Sequence, residues 1–198
     1  MLALATSAAV VSADKPSVVS LRAVEDIVPA RSKDGKRLAL PVESTVDTGT
    51  VKHSYGLVVV DTGKIKGKRY PLAVKDTNLD AAEPVDKQLA KSAPAVNKLL
   101  ADGGFTSLPL VAAGDKLAPG LTVEAAVAGS SITLTAKLGS TSVGTLTAKD
   151  RGTPEVVGAV LVRGKPAYAY VALRWQHSTD GAVFTDDGWV AVPLKQVP

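Results

Sequence analysis

Apolar side chains recur at every second position through most of the chain, the period of strands with one covered face. Leu121, Val123, Ala125 and Val127 keep that spacing, and Ile132 to Leu138 and Val143 to Ala148 repeat it on either side of the turn residues Gly139 and Ser140. Val156 to Val162, Tyr168 to Trp175 and Trp189 to Leu194 read as longer apolar strands. Earlier in the chain, Ser17 to Val24 alternates loosely and Leu38 to Val42 reads as a strand with Pro41 at its edge. Leu57-Val58-Val59-Val60 is unbroken apolar sequence, which predicts a strand covered on both faces. Tyr70 to Val74 then returns as the second arm of a hairpin. Turns are expected at Ser32-Lys33-Asp34-Gly35, Gly129-Ser130, Arg163-Gly164-Lys165-Pro166 and Ser178-Thr179-Asp180-Gly181.

Only one stretch has helical spacing, Asp80 to Ala101, where Leu89, Val96, Leu99 and Leu100 can share a side. Asp80 is placed to cap it, with Glu83 three residues on. Pro94 removes a backbone donor in its interior, which predicts a kink or a fresh start capped by Ser92. Gly103-Gly104 ends the element. The expected fold is mainly β: an antiparallel meander, with sandwich-like or curled sheets and one kinked helical segment near residues 80–101. Residues 14–198 are expected to form one domain, with Gly103-Gly104 the sole candidate for a subdivision.

Residues 1–13, MLALATSAAVVSA, are uncharged and mostly apolar. They are too short for a bilayer span, which takes about 20 residues. They fit the apolar part of a secretory signal, with the small residues of Val11-Ser12-Ala13 before a cleavage point. A buried first strand or helix is the competing reading. Export implies a periplasmic or secreted protein with no membrane span. Cysteine is absent, which excludes disulfides, thiolate nucleophiles and cysteine-ligated metals. The net charge of +4 is spread over both halves, and aromatics make up 4% of the chain. Neither feature provides the basic stripe or the stacking platform of a nucleic-acid binder.

Ser32-Lys33-Asp34-Gly35-Lys36-Arg37-Leu38-Ala39, followed by Leu57-Val58-Val59-Val60-Asp61-Thr62-Gly63, resembles one blade of a TolB-type β-propeller. The order of leader, blade-like start, Ala-rich helix and β-rich second half is similar to a bacterial family of predicted secreted proteins without assigned function. The resemblance implies export and a β fold, and it implies no activity.

Little in the sequence carries chemistry. His53 and His177 lie in no metal-ligand spacing and read as residues at strand ends or in loops. No G-x-S-x-G marks a nucleophile elbow. Asp76 to Asp80 has the alternate oxygens of a calcium loop, but Ala81 stands where Gly is needed and Lys87 where Glu is. Gly63 to Lys68 lacks the spacing of a phosphate loop, and Arg69 replaces its Ser or Thr. Asp186 and Asp187 are adjacent and so point apart on a strand. Five of the eight aromatics fall between Tyr168 and Trp189, as a core cluster or as an exposed binding patch.

The candidate ligand-binding set is Arg174, Trp175, His177 and Asp180, and the candidate anion-binding set is Lys64, Lys66, Lys68 and Arg69. No catalytic residue, metal or cofactor is expected. The function read from the sequence is a non-enzymatic binding or structural module of the cell envelope, with an envelope protein or an anionic polymer as partner. The alternative is a small hydrolase with a site around His177, Arg174 and Asp180 or Asp187.

Overall fold

The structure is a computed structural model that describes residues 19–77 and 83–198. The expected leader over residues 1–13 and the expected cap at Asp80 lie outside the described residues. Among the described residues twelve strands and one α-helix follow in order: β1 (Ala30–Arg31), β2 (Arg37–Asp47), β3 (Val51–Asp61), β4 (Lys68–Asp76), α1 (Val85–Asp102), β5 (Thr106–Ser107), β6 (Val111–Ala112), β7 (Leu121–Ala128), β8 (Ser131–Leu138), β9 (Thr141–Lys149), β10 (Thr153–Val162), β11 (Ala167–Thr179) and β12 (Ala182–Leu194). A nine-stranded sheet runs β4-β3-β2-β12-β11-β10-β6, with β1 and β5 attached beside β2, and β7-β8-β9 form a second sheet. Of the expected strand Ser17 to Val24, the first two residues lie outside the described residues, and Val19 to Val24 do not form a strand. Val19 and Leu21 are instead buried against α1, and a short 3-10 turn follows at Val24–Asp26.

Turn chemistry sets the registers of the second half. Gly129 and Gly139 have φ of 59° and 61° and are each followed by a serine, the type II′ arrangement for a two-residue hairpin. Asp180 (φ 49°) and Gly181 (φ 77°) are both left-handed, which makes the type I′ turn between β11 and β12. At the β1–β2 turn, Ser32 Oγ donates to Asp34 Oδ1 (2.6 Å) and accepts from the Arg37 amide (2.9 Å). This turn leads into β2, which pairs with β3 with Leu38 opposite Val60.

Three apolar clusters hold the sheets. Ile132, Leu134 and Val143 of the small sheet pack on Ala169, Val171, Leu173 and Trp175 of β11 and on Val192 and Leu194 of β12. A second cluster joins Leu38, Leu40, Val42 and Val60 to Val160, Val162, Tyr170 and Trp189. The third seats Leu89, Ala93, Val96 and Leu100 of α1 on Leu57 and Leu72. Leu57 and Val59 serve the helix cluster while Val58 and Val60 serve the second, so β3 is covered on both faces as its sequence predicts.

The helix is one element rather than two. Pro94 lies inside it and is exposed, and Ser92 does not cap a new start. Its Oγ donates instead to the Leu72 carbonyl on β4 at 2.7 Å. One turn earlier, Gln88 brackets Val74, accepting from its amide (2.8 Å) and donating to its carbonyl (2.7 Å). Asn97 holds Leu21 the same way, at 2.6 and 2.9 Å. The packing of the apolar stripe and these polar clamps offset the one hydrogen bond lost at the proline.

Candidate functional site

The pairing of β2 with β12 places a polar row across five strands. Thr153 is opposite Gln176, Gln176 opposite Thr185, Thr185 opposite Thr45, and Thr45 opposite His53. Directly opposite residues in antiparallel ladders share a face, so the five side chains stand side by side. A second row starts two residues along, with Glu155 opposite Arg174 and Arg174 opposite Asp187. Together with Glu43 and Pro154, the first row and Glu155 and Arg174 of the second line a cleft of about 430 Å³.

Charge in the cleft is unevenly matched. Arg174 donates through Nε and Nη2 to the two carboxylate oxygens of Asp187, at 2.8 and 2.9 Å. That fork is the strong form of the Arg–carboxylate contact, and it raises the guanidinium pKa above its ordinary value. Asp187 is thereby neutralised, while Glu43 and Glu155 have no Lys or Arg ion pair among the described residues.

Nδ1 of His53 lies 3.0 Å from Thr45 Oγ1 and 3.2 Å from Glu43 Oε1. An ionised carboxylate only accepts, so Nδ1 carries the proton in the neutral ring and Nε2 keeps its lone pair. Thr45 and Glu43 therefore meet the same ring nitrogen. A nucleophile–histidine–acid relay needs them on opposite nitrogens. The hydroxyls of Thr153 and Thr185 and the amide of Gln176 have no protein partner among the described residues.

Of the two candidate binding sets, Arg174 alone lines this cleft. Trp175 is a core residue, 7% exposed and packed against the small sheet. The reason is the strand period: Ala169, Val171, Leu173 and Trp175 face one way, and Arg174 and Gln176 the other. His177 shares the Trp175 parity. Its ring stacks on Phe184 at 5.1 Å, and its buried Nδ1 has no hydrogen-bond partner. Asp180 is an exposed turn residue. The four are not brought together, and the grouping of His177 with Arg174, Asp180 or Asp187 is not assembled.

Lys64, Lys66, Lys68 and Arg69 are exposed around the β3–β4 turn, and none lines either cavity described here. Lys68 Nζ sits 5.0 Å from the centre of the Tyr70 ring, while the neighbouring Arg69 points to the opposite face. The turn is held from across the fold by the Tyr170 hydroxyl, which accepts from the Gly63 amide (2.6 Å) and donates to the Lys64 carbonyl (3.1 Å).

A second, more open cavity of about 700 Å³ lies between the β1–β2 turn and the end of α1, lined by Lys33, Asp34, Arg37 and Gly103 among others. The Lys33 amide donates to the Gly103 carbonyl at 3.0 Å, and the two cations stand where a helix C-terminus is negative. That arrangement caps the helix.

Among the described residues no three His, Asp or Glu side chains are grouped to hold a metal ion, and no helix is long and apolar enough to cross a membrane. No family model, curated protein or solved structure matches the chain.

Proposed function

We propose that the protein is a non-enzymatic binding module of the cell envelope, exported as its N-terminal residues imply, whose β10–β11–β12–β2–β3 cleft receives a small hydroxyl-bearing ligand. The observation that carries this reading is the row Thr153, Gln176, Thr185, Thr45 and His53, a line of donors and acceptors on five adjacent strands. Strands hold such groups at fixed spacings, which favours recognition by several directed hydrogen bonds. Glu43 and Glu155 make the cleft unfavourable to an anion and favourable to an amine, so the anionic polymer expected from the basic turn does not fit here. The strand parity that turns His177 to the face opposite Arg174 and Asp187 speaks against the hydrolase alternative.

The test is a backbone-amide NMR titration with glucosamine, N-acetylglucosamine and glucuronate as probes. Shifts are expected at Thr45, His53, Gln176 and Thr185 with the first probe, smaller ones with the second and none with the third. The joint change Gln176→Ala and Thr185→Ala should abolish them without altering the far-ultraviolet circular dichroism. Glucuronate shifting these residues most, or no probe shifting them at all, would overturn the reading.

A further inference from the structure

The outer strands of the two sheets are finished very differently. A sheet edge presents unpaired amides and carbonyls that template another strand unless something blocks them. On β4 the block is complete: Lys68, Arg69, Pro71 and Lys75 lie along it, Gln88 brackets Val74, and Ser92 takes the Leu72 carbonyl. On the large sheet's other side, β6 covers β10 at Gly158 and Ala159.

β7 has none of this. Ala125, Ala126, Val127 and Ala128 are all exposed, with no proline and no charge, and Val127 is 51% exposed although its cross-strand partner Ile132 is fully buried. The single charge on the strand, Glu124, is held inside its own sheet by Lys137 at 2.6 Å. The two-residue turn makes Ala128 and Ser131 a hydrogen-bonded pair, so the ladder alternation turns the amides and carbonyls of Val123, Ala125 and Val127 outward. No hydrogen bond from a side chain or loop reaches them among the described residues.

We propose that β7 is a self-association edge, where a second copy of this chain adds its own β7 antiparallel and joins the two three-stranded sheets into one. The strand is its own complement. With the two-fold axis at Ala126, the outward-bonding Val127 of one copy stands opposite the outward-bonding Ala125 of the other. Glu124 then faces Ala128, so the two carboxylates never oppose each other across the seam. An acidic or basic foreign strand finds no charge partner among Ala125 to Ala128, whereas this pairing covers all four exposed residues and closes the edge symmetrically.

The experiment is analytical ultracentrifugation of the whole chain over a concentration series, alongside hydrogen exchange of the Ala125 and Val127 amides. A dimer is expected, with protection of both amides rising with concentration. Val127→Lys, a change at an exposed side chain that circular dichroism can show to be folded, should give a monomer and remove that protection. Ile65→Lys, at an exposed apolar residue in the β3–β4 turn, should leave the dimer intact. A wild-type chain that stays monomeric at its highest soluble concentration would refute the proposal. So would a dimer that survives Val127→Lys.

Discussion

The indole Nε1 of Trp189 donates to the carbonyl oxygen of Pro41 at 2.6 Å, joining residues 148 apart in the chain. β2 and β12 are laddered only from Ser44–Asp186 to Asp47–Val183, and Pro41 lies beyond that ladder. A proline has no amide to contribute there, and its carbonyl would lack a strand partner on that side. Trp189, 9% exposed, fills the gap and satisfies the oxygen.

Trp189→Phe keeps an aromatic ring but leaves that part-buried carbonyl without its indole partner. A loss of about 1 kcal/mol is expected, the net contribution of a typical hydrogen bond. Urea denaturation should show a lower midpoint with an unchanged slope, because no other contact is asked to change.

Tyr170→Phe tests the strut under the basic turn. Two hydrogen bonds, to the Gly63 amide and the Lys64 carbonyl, go with the hydroxyl, at an expected cost of about 1–3 kcal/mol. Hydrogen exchange at Gly63 should accelerate beyond what the global destabilisation explains. Burial pushes the Tyr170 phenol above its ordinary pKa, and the Gly63 amide only partly offsets it. The sign follows: the unfolded chain ionises first, so this stability is intact below about pH 10 and is lost as pH rises through the folded-state value. Denaturation midpoints should fall on the alkaline side, and Tyr170→Phe should shrink that fall. Some of it will remain, since burial and the charges of Glu43 and Glu25 also raise Tyr55.

Gly144 is where the small sheet touches the large one. A side chain there would run into the Pro193 carbonyl and come within 3.2 Å of Val192 Cγ1, while the Lys195 amide donates to the adjacent Val143 carbonyl at 2.8 Å. Gly144→Ala must therefore force β9 away from β12. The expected loss is about 1–3 kcal/mol, as for other overpacked sites, measured as a fall in melting temperature. Gly188→Ala, on the same two elements' side of the fold but with open space around it, is the control and should be near neutral apart from a small strand effect.

The strands after Thr106 were legible because local signals agree there: period-two apolar positions, Gly-Ser and Asp-Gly turns, and short connections. The burial of Trp175 was legible too, since it continues the parity of Ala169, Val171 and Leu173, while Arg174 breaks it. The helix, Val85–Asp102, overlaps the predicted span and ends one residue beyond it, but its continuity through Pro94 depends on Gln88, Ser92 and Leu100 reaching partners outside the helix, which no window of sequence contains. The cleft was illegible for the same reason. His53, Glu43 and Thr45 meet Thr185, Gln176 and Thr153 only through the register of β2 on β12, a pairing between segments about 140 residues apart.

That junction also dictates when the molecule can be finished. Because Ser44 to Asp47 wait for Val183 to Asp186, everything nucleated early, including the helix on β3 and β4, stays without its main seam until the final hairpin arrives. Distant partners of this kind make for slow assembly. A chain emerging vectorially from a ribosome would hold that edge of β2 open until its synthesis is nearly complete, and the last strand acts as the clasp.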